Sequence, residues 1–331
     1  MGLMLPMTLV FSQDKATLLA PQVVASQDTG RSVSEWLLRM HEASRQRAYV
    51  GTFVVTAGGA MSSARIWHVC DGEQQMERVE SLSGVHRTTL RRNDQVMTFL
   101  PERRVVVSEK RDSLGLFPHL LHSNNASLAQ FYRVKVAGSD RIAGVEADVV
   151  NLWPADALRF GYRVWTEKKT GLVVKLQTLD GAGQVLEQSA FSELQLDAPV
   201  SMAQLSHLMD NTQGYQVVKP EMQKTTAAAE GWILKSGVPG FSDMNCFKRL
   251  MGTSPESRHD NTLQWVFSDG LASVSLFIEA FDPRHHTQSG RASQGATFTL
   301  TRRIGDWWLT AVGEVPPQTL AIFAQGLELK K

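Results

Sequence analysis

The sequence predicts an α+β protein made of two β-rich units, each carrying a little helix, with a polar linker between them. Three observations lead there. Apolar residues alternate with polar ones, or form short β-branched runs, through most of 49–196 and again from 232 to 312. Helical spacing is confined to the stretch after residue 32, a break around 112–129 and the C-terminal 319–327. Between the units, residues 198–228 mix Pro, Ser, Thr, Gln, Asn and Gly without a sustained period, as linkers do. At 331 residues, the chain is long enough for two modest cores.

Residues 1–31 form a signal-like or flexible segment. Leu3 to Phe11 is an apolar run and Val23-Val24-Ala25 offers small residues for cleavage, but no cation precedes the run and Lys15 interrupts it. An imperfect export signal and a flexible tail both fit. Ser32 and Glu35 then make an S-x-x-E capping box, and Trp36, Leu37, Met40 and Ala43 fall on one face of the helix that follows. From Tyr49 the period changes to two, with strands expected at 49–56, 64–69, 96–100, 105–107, 131–136 and 141–152. Residues 112–129 hold Leu114, Leu116, Phe117, Leu120 and Leu121 with no period of two, which suggests one or two short helices. Lys169-Thr170-Gly171 and Asp180-Gly181-Ala182-Gly183 supply turn residues, so 161–196 reads as a three-stranded antiparallel meander. The second unit, 229–331, has strands from Trp232, at 262–267, 272–281, 296–303 and 307–312. Pro316-Pro317 then opens a terminal helix.

Charge and motifs exclude more than they assign. Lys plus Arg number 34 against 33 Asp plus Glu, so no overall field draws the chain to nucleic acid. The two cysteines, Cys70 and Cys246, have no metal-ligand spacing around them. There is no GxGxxG, P-loop, GxSxG or HExxH, so no cofactor is implied and the chain is not expected to be an enzyme. His119 and His122 could share one helix face, but a third ligand is missing and no metal is expected. His285 and His286 sit in a polar stretch that reads as a solvent-facing loop. What remains is aromatic and aliphatic mass on strands, most of it core. A strongly curved sheet also has a concave side, and apolar residues there, closed by 114–121, would make a lipid-sized pocket. Phe53, Phe117, Leu120 and Trp165 are the candidate walls, chosen from strand alternation and the helical cover.

The segment 161–196, GYRVWTEKKTGLVVKLQTLDGAGQVLEQSAFSELQL, resembles the corresponding meander of the RseB/MucB family of periplasmic sigma-E regulators. TFLPERRVVVSEKR at 98–111, WVFSDGLASVSLFIE at 265–279 and AVGEVPPQTLAIFA at 311–324 resemble the same family in the same order. The resemblance implies an N-terminal unclosed antiparallel β-barrel with helices, LolA/LolB-like, over 32–197, and a smaller C-terminal α+β domain over 229–331. It implies a periplasmic negative regulator that binds the periplasmic part of a membrane-spanning, RseA/MucA-like anti-sigma factor and shields it from regulated proteolysis. Lipopolysaccharide or another acyl-chain ligand would release that partner, and homo-oligomers are possible. A periplasmic lipid or lipoprotein carrier is the alternative, though a carrier needs no second domain. The family brings no catalytic residues. Trp265, Asp269, Gly270 and Phe277, in the strand-turn-strand of the 265–279 family block, are the candidate partner-binding residues, because an extended peptide can use a sheet edge with aromatic pockets beside it.

Overall fold

The structure is a computed structural model that describes residues 31–110, 128–249 and 262–330. In the first domain α1 (Val33–Gln46) precedes β1 (Tyr49–Ala57), β2 (Ala60–Cys70), β3 (Gln75–Ser81), β4 (Thr88–Arg92), β5 (Gln95–Leu100) and β6 (Val105–Lys110). After α2 (Leu128–Phe131) come β7 (Tyr132–Ile142), β8 (Val145–Pro154), β9 (Gly161–Glu167), β10 (Val173–Leu179), β11 (Val185–Leu196), α3 (Met202–Asp210) and β12 (Gln216–Val218). The second domain contains β13 (Met222–Lys224), β14 (Trp232–Leu234), β15 (Ser242–Arg249), β16 (Leu263–Ser268), β17 (Ser273–Ala280), β18 (Gly290–Gln294), β19 (Thr297–Ile304), β20 (Trp307–Gly313), α4 (Pro317–Gly326) and β21 (Leu327–Leu329).

Twelve strands make one sheet in the order β12-β6-β5-β4-β3-β2-β1-β11-β10-β9-β8-β7. Its ends, β12 and β7, are not paired with each other, so the barrel is unclosed, and every pairing except β12 with β6 is antiparallel. The helix predicted from Ser32 and Glu35 is present with both capping-box bonds. Its apolar face, Trp36, Leu37, Met40 and Ala43, is buried against β7 to β11 and the start of β1. That burial, more than intrinsic propensity, holds a 14-residue helix in place. In the second domain β13-β15-β16-β17-β20-β19-β18 form a seven-stranded sheet. Leu320, Phe323 and Ala324 of α4 pack on its Trp265, Phe267, Leu276 and Leu309.

Strands β3, β4, β15 and β18 fall in stretches that the sequence reading leaves without a strand, and two further stretches differ from it. The strand expected at 141–152 is the end of β7 and most of β8, separated by a two-residue turn in which Ala143 and Gly144 both have positive φ, 48° and 84°. The Ala143 side chain hides that turn in the sequence, because glycine or asparagine is the usual signal. The expected linker, 198–228, contains α3, β12 and β13. Ser201 caps α3 by accepting from the Gln204 N–H at 3.2 Å, and Leu205 and Met209, one turn apart, are buried with Met76, Leu90, Met97 and Phe99. Since β12 joins the first sheet and β13 the second, the crossing between sheets shrinks to residues 219–221.

From Gln213 to Lys224 most residues are exposed. Among the described residues, a broad-specificity protease acting on the native protein is therefore expected to cut first between 211 and 224. Mass spectrometry of the fragments checks this, and a first cut inside 161–196 would place the weak point elsewhere.

Candidate functional site

The junction of the two domains is built around one turn. β16 and β17 are joined through Ser268-Asp269-Gly270-Leu271-Ala272, where Gly270 has φ +99°, a conformation that admits glycine readily. Asp269 Oδ1 accepts from the backbone N–H groups of Leu271 (2.9 Å) and Ala272 (2.8 Å), an Asx turn that fixes the loop. The turn enters the first domain: Leu271 is buried with Trp36, Leu37, Tyr132 and Tyr162. There Asp269 Oδ2 accepts from Arg159 Nε at 2.8 Å and from Tyr132 Oη at 3.0 Å. The side chains of Asp269 and Arg159 are both 0% exposed.

Arg159 is almost fully engaged. It donates to the Asp156 carboxylate and to the Pro239 carbonyl, and its guanidinium lies 4.2 Å from the centre of the Phe131 ring and 5.3 Å from that of Phe241. A planar, weakly hydrated cation suits such a buried, ring-flanked position better than lysine would. Gly240, at φ +84°, lets the chain pass, since a Cβ there would sit 2.6 Å from Phe131. Burial pushes the Tyr132 and Tyr162 phenols well above their ordinary value, with nearby negative charge adding to the effect, so both stay neutral.

Elsewhere on the same junction the β1–β2 and β18–β19 hairpins face each other across a cleft of about 580 Å³. Val55, Ala57 and Met61 form part of one wall, Ala292, Gln294 and Thr297 part of the other, and Glu187 contributes a carboxylate. Glu187 accepts from the Ala296 N–H at 3.4 Å, and burial raises its carboxyl. Glu314 is pushed up to about 7, chiefly by burial and further by the negative charge of Glu187. Helix α4 closes the junction by bonding its Gln318 and Thr319 side chains to the carbonyls of Ala157 and Leu158.

The structure scatters the residues singled out from the sequence. Phe53 and Trp165 share one buried cluster with Tyr49, Ile66 and Phe191 and are 6% and 5% exposed. Trp165 donates from Nε1 to Asp140 at 3.0 Å and lies beneath Lys175, 4.4 Å from its ring centre. Phe117 and Leu120 lie outside the described residues, as do His119, His122 and most of the 112–129 break. Trp265 belongs to the second domain's core, 7% exposed, whereas Phe277 is half-buried opposite Gln264 and Thr310. Asp269 and Gly270, the turn residues among the candidate partner-binding set, are inside the molecule, because the turn is inserted between domains. His286 is not a free loop residue either. It stacks on Trp308 at 4.9 Å, accepts at Nδ1 from the Asp282 N–H, and so offers Nε2–H to Glu279 at 3.2 Å. Arg159, Tyr132 and Glu187 carry the junction without any local sequence signal, since their partners are more than a hundred positions away.

Comparison with known proteins follows this two-domain plan. Residues 32–209 match the model of the MucB/RseB N-terminal domain and residues 226–328 that of the MucB/RseB C-terminal domain. The sigma factor AlgU regulatory protein MucB of Pseudomonas aeruginosa is 30% identical over 293 residues, 86% of each chain. The sigma-E factor regulatory protein RseB of Escherichia coli is 22% identical over 292 residues, 88% of this chain and 89% of the other. Among solved structures, a Pseudomonas aeruginosa MucA/MucB complex matches with a TM-score of 0.68 and 28% identity, over 90% of this chain and 99% of the other. Likeness of this kind, running through both domains, places the chain in the MucB/RseB family of sigma-factor regulatory proteins.

Proposed function

We propose that this chain works in the periplasm, without catalysis, by holding the periplasmic segment of a MucA-like membrane anti-sigma factor and keeping it from regulated proteolysis. The observation that carries the reading is the whole-chain likeness to MucB as solved in complex with the periplasmic part of MucA, covering 91% of this chain. An acyl-chain ligand such as lipopolysaccharide releases the partner. Release of this sort needs a ligand that favours the partner-free state by a few kcal/mol, because equal affinity for both states shifts nothing. The lipid wall proposed at Phe53 and Trp165 is closed in the structure, so a chain entering there displaces packed side chains. Homo-oligomers would provide a further level of control.

Among the four candidate partner-binding residues, Phe277 is the accessible one, and Trp265, Asp269 and Gly270 act by shaping the domain that presents it. The test is titration of a labelled anti-sigma periplasmic segment against the full chain, its Phe277→Ala variant, and the full chain with lipopolysaccharide. Saturable binding, weakened by the substitution and competed by the lipid, is expected. No binding by the intact chain overturns the reading. Binding that ignores lipids of every acyl length overturns the release step alone.

A further inference from the structure

The three most exposed large apolar side chains among the described residues are Met61 (74%), Val85 (66%) and Leu82 (53%). They occupy two neighbouring turns at the rim of the first sheet. Met61 is at the start of β2, just after the β1–β2 turn, and Leu82 and Val85 lie between β3 and β4. The β3–β4 turn is tied to β2 two residues past Met61: the Leu82 N–H donates to the Ser63 carbonyl at 2.9 Å, and the Ser63 N–H to Ser83 Oγ at 2.9 Å. Ser81 Oγ shapes the second turn, accepting from the Arg87 N–H at 2.9 Å and donating to the Val85 carbonyl at 3.0 Å. Single exposed apolar residues are ordinary, but three gathered on pinned backbone make a patch.

The surroundings of this patch are cationic. His86 and Arg87 are exposed beside the apolar tips. Arg65 and Trp67 lie on the same side of β2 as Met61, by strand alternation, with Arg78 directly opposite Trp67 on β3. The Arg65 and Arg78 guanidinium groups are 5.5 Å and 4.6 Å from the Trp67 ring centre. Against these stands Glu80, shared by Arg78 at 2.6 Å and His86 at 3.7 Å, with Glu193 farther along, near Thr52. Projecting apolar tips, an arginine-flanked tryptophan and a surplus of cations match the polarity of a bilayer interface: acyl boundary for the tips, phosphates for the cations. A protein partner would need recesses for these tips. The formal charge of the whole chain is only +1, so any attraction to anionic lipid has to be local.

We propose that these two turns form a docking edge for an anionic phospholipid bilayer. This does not depend on the anti-sigma reading. The test is flotation of the full chain with vesicles of phosphatidylethanolamine and phosphatidylglycerol, and with vesicles of phosphatidylcholine alone. Partitioning onto the anionic vesicles is expected, falling about tenfold or more in the combined variant Met61→Ser, Leu82→Ser, Val85→Ser. A similar loss is expected in Arg65→Gln, Arg87→Gln. The thermal melt of the triple serine variant should match the parent, since Met61, Leu82 and Val85 are exposed, and Arg87→Gln alone, at an exposed position, serves as the control for the half-buried Arg65. Absence of the parent from anionic vesicles overturns the proposal, and so does equal binding by the triple serine variant. A triple variant that instead loses self-association or anti-sigma binding, with vesicle binding intact, assigns the turns to a protein contact and overturns it too.

Discussion

Asp269→Ala lowers the stability of the intact chain by about 3 kcal/mol, near the low end of the range for breaking a buried ion pair by removing one partner. The cost arises on the Arg159 side, where a guanidinium with no exposure loses the carboxylate at its Nε. Asp156 still accepts from Arg159, which keeps the effect from the upper end, but Asp156 is 31% exposed and its hold is weakened by water. Tyr132 loses its acceptor, and the Leu271 and Ala272 N–H groups lose the oxygen that fixed the turn. Each orphaned buried group adds a share of order 1 kcal/mol. Because the turn plugs one domain into the other, the loss should also loosen their docking, visible as a larger radius of gyration in small-angle scattering. Urea denaturation followed by tryptophan fluorescence gives the stability. Replacing the pair together, Arg159→Met with Asp269→Leu, should recover part of what Asp269→Ala loses. A midpoint for Asp269→Ala indistinguishable from the parent would show that the pair does not hold the junction.

That pair also marks the limit of what the sequence could show. The capping box of α1 was legible because its partners are three residues apart, and the 161–196 meander because its turns and alternation are local. Both appear as read. Helix α3 left a fainter trace. Ser201, Leu205 and Met209 have the right spacing, but nine residues inside a polar stretch are too few to stand out from their neighbours. Asp269 left a misleading one, since Ser-Asp-Gly is the composition of a solvent-facing turn, and only the domain packed over it makes it interior. By strand alternation Trp165 lies on the side of β9 opposite Tyr162 and Val164, which makes it a candidate wall residue. In the structure nearly all of β9 is buried, because both sides of it are covered. Alternation tells which residues share a side, but not what will cover that side.

Glu77→Gln is expected to leave stability unchanged near pH 4 and to raise it by up to about 3 kcal/mol at pH 8. Glu77 is opposite His68 on β2 and Arg91 on β4, and is 8% exposed. Burial pushes its carboxyl up to about 7, with Arg91 pulling the other way. A folded-state value above the ordinary 4.5 means that its contribution is fully present below about pH 4.5 and is lost as pH rises through 7. Glutamine stays neutral throughout, so the benefit grows over that window, at about 1.4 kcal/mol per pKa unit. The neighbouring His68 works in the opposite direction. Its Nδ1 donates to the Arg47 carbonyl at 2.6 Å, its Nε2 accepts from Gln75 at 2.7 Å, and its ring stacks on Tyr49. Burial lowers its value to about 4, so its contribution is present above about 6.5 and is lost as pH falls through 4. Between about pH 4.5 and 7 the two slopes oppose each other in the parent, so Glu77→Gln should remove the falling contribution there and leave a steeper rise in stability from acid to neutral pH, with little change of slope above pH 7. Part of the falling contribution over that same window should persist through Glu314, which is also raised to about 7. Urea midpoints at pH 4, 6 and 8 decide it. A variant whose profile runs parallel to the parent's would mean that Glu77 is already ionised in the folded protein at the acid end, paired with Arg91 closely enough to offset its burial.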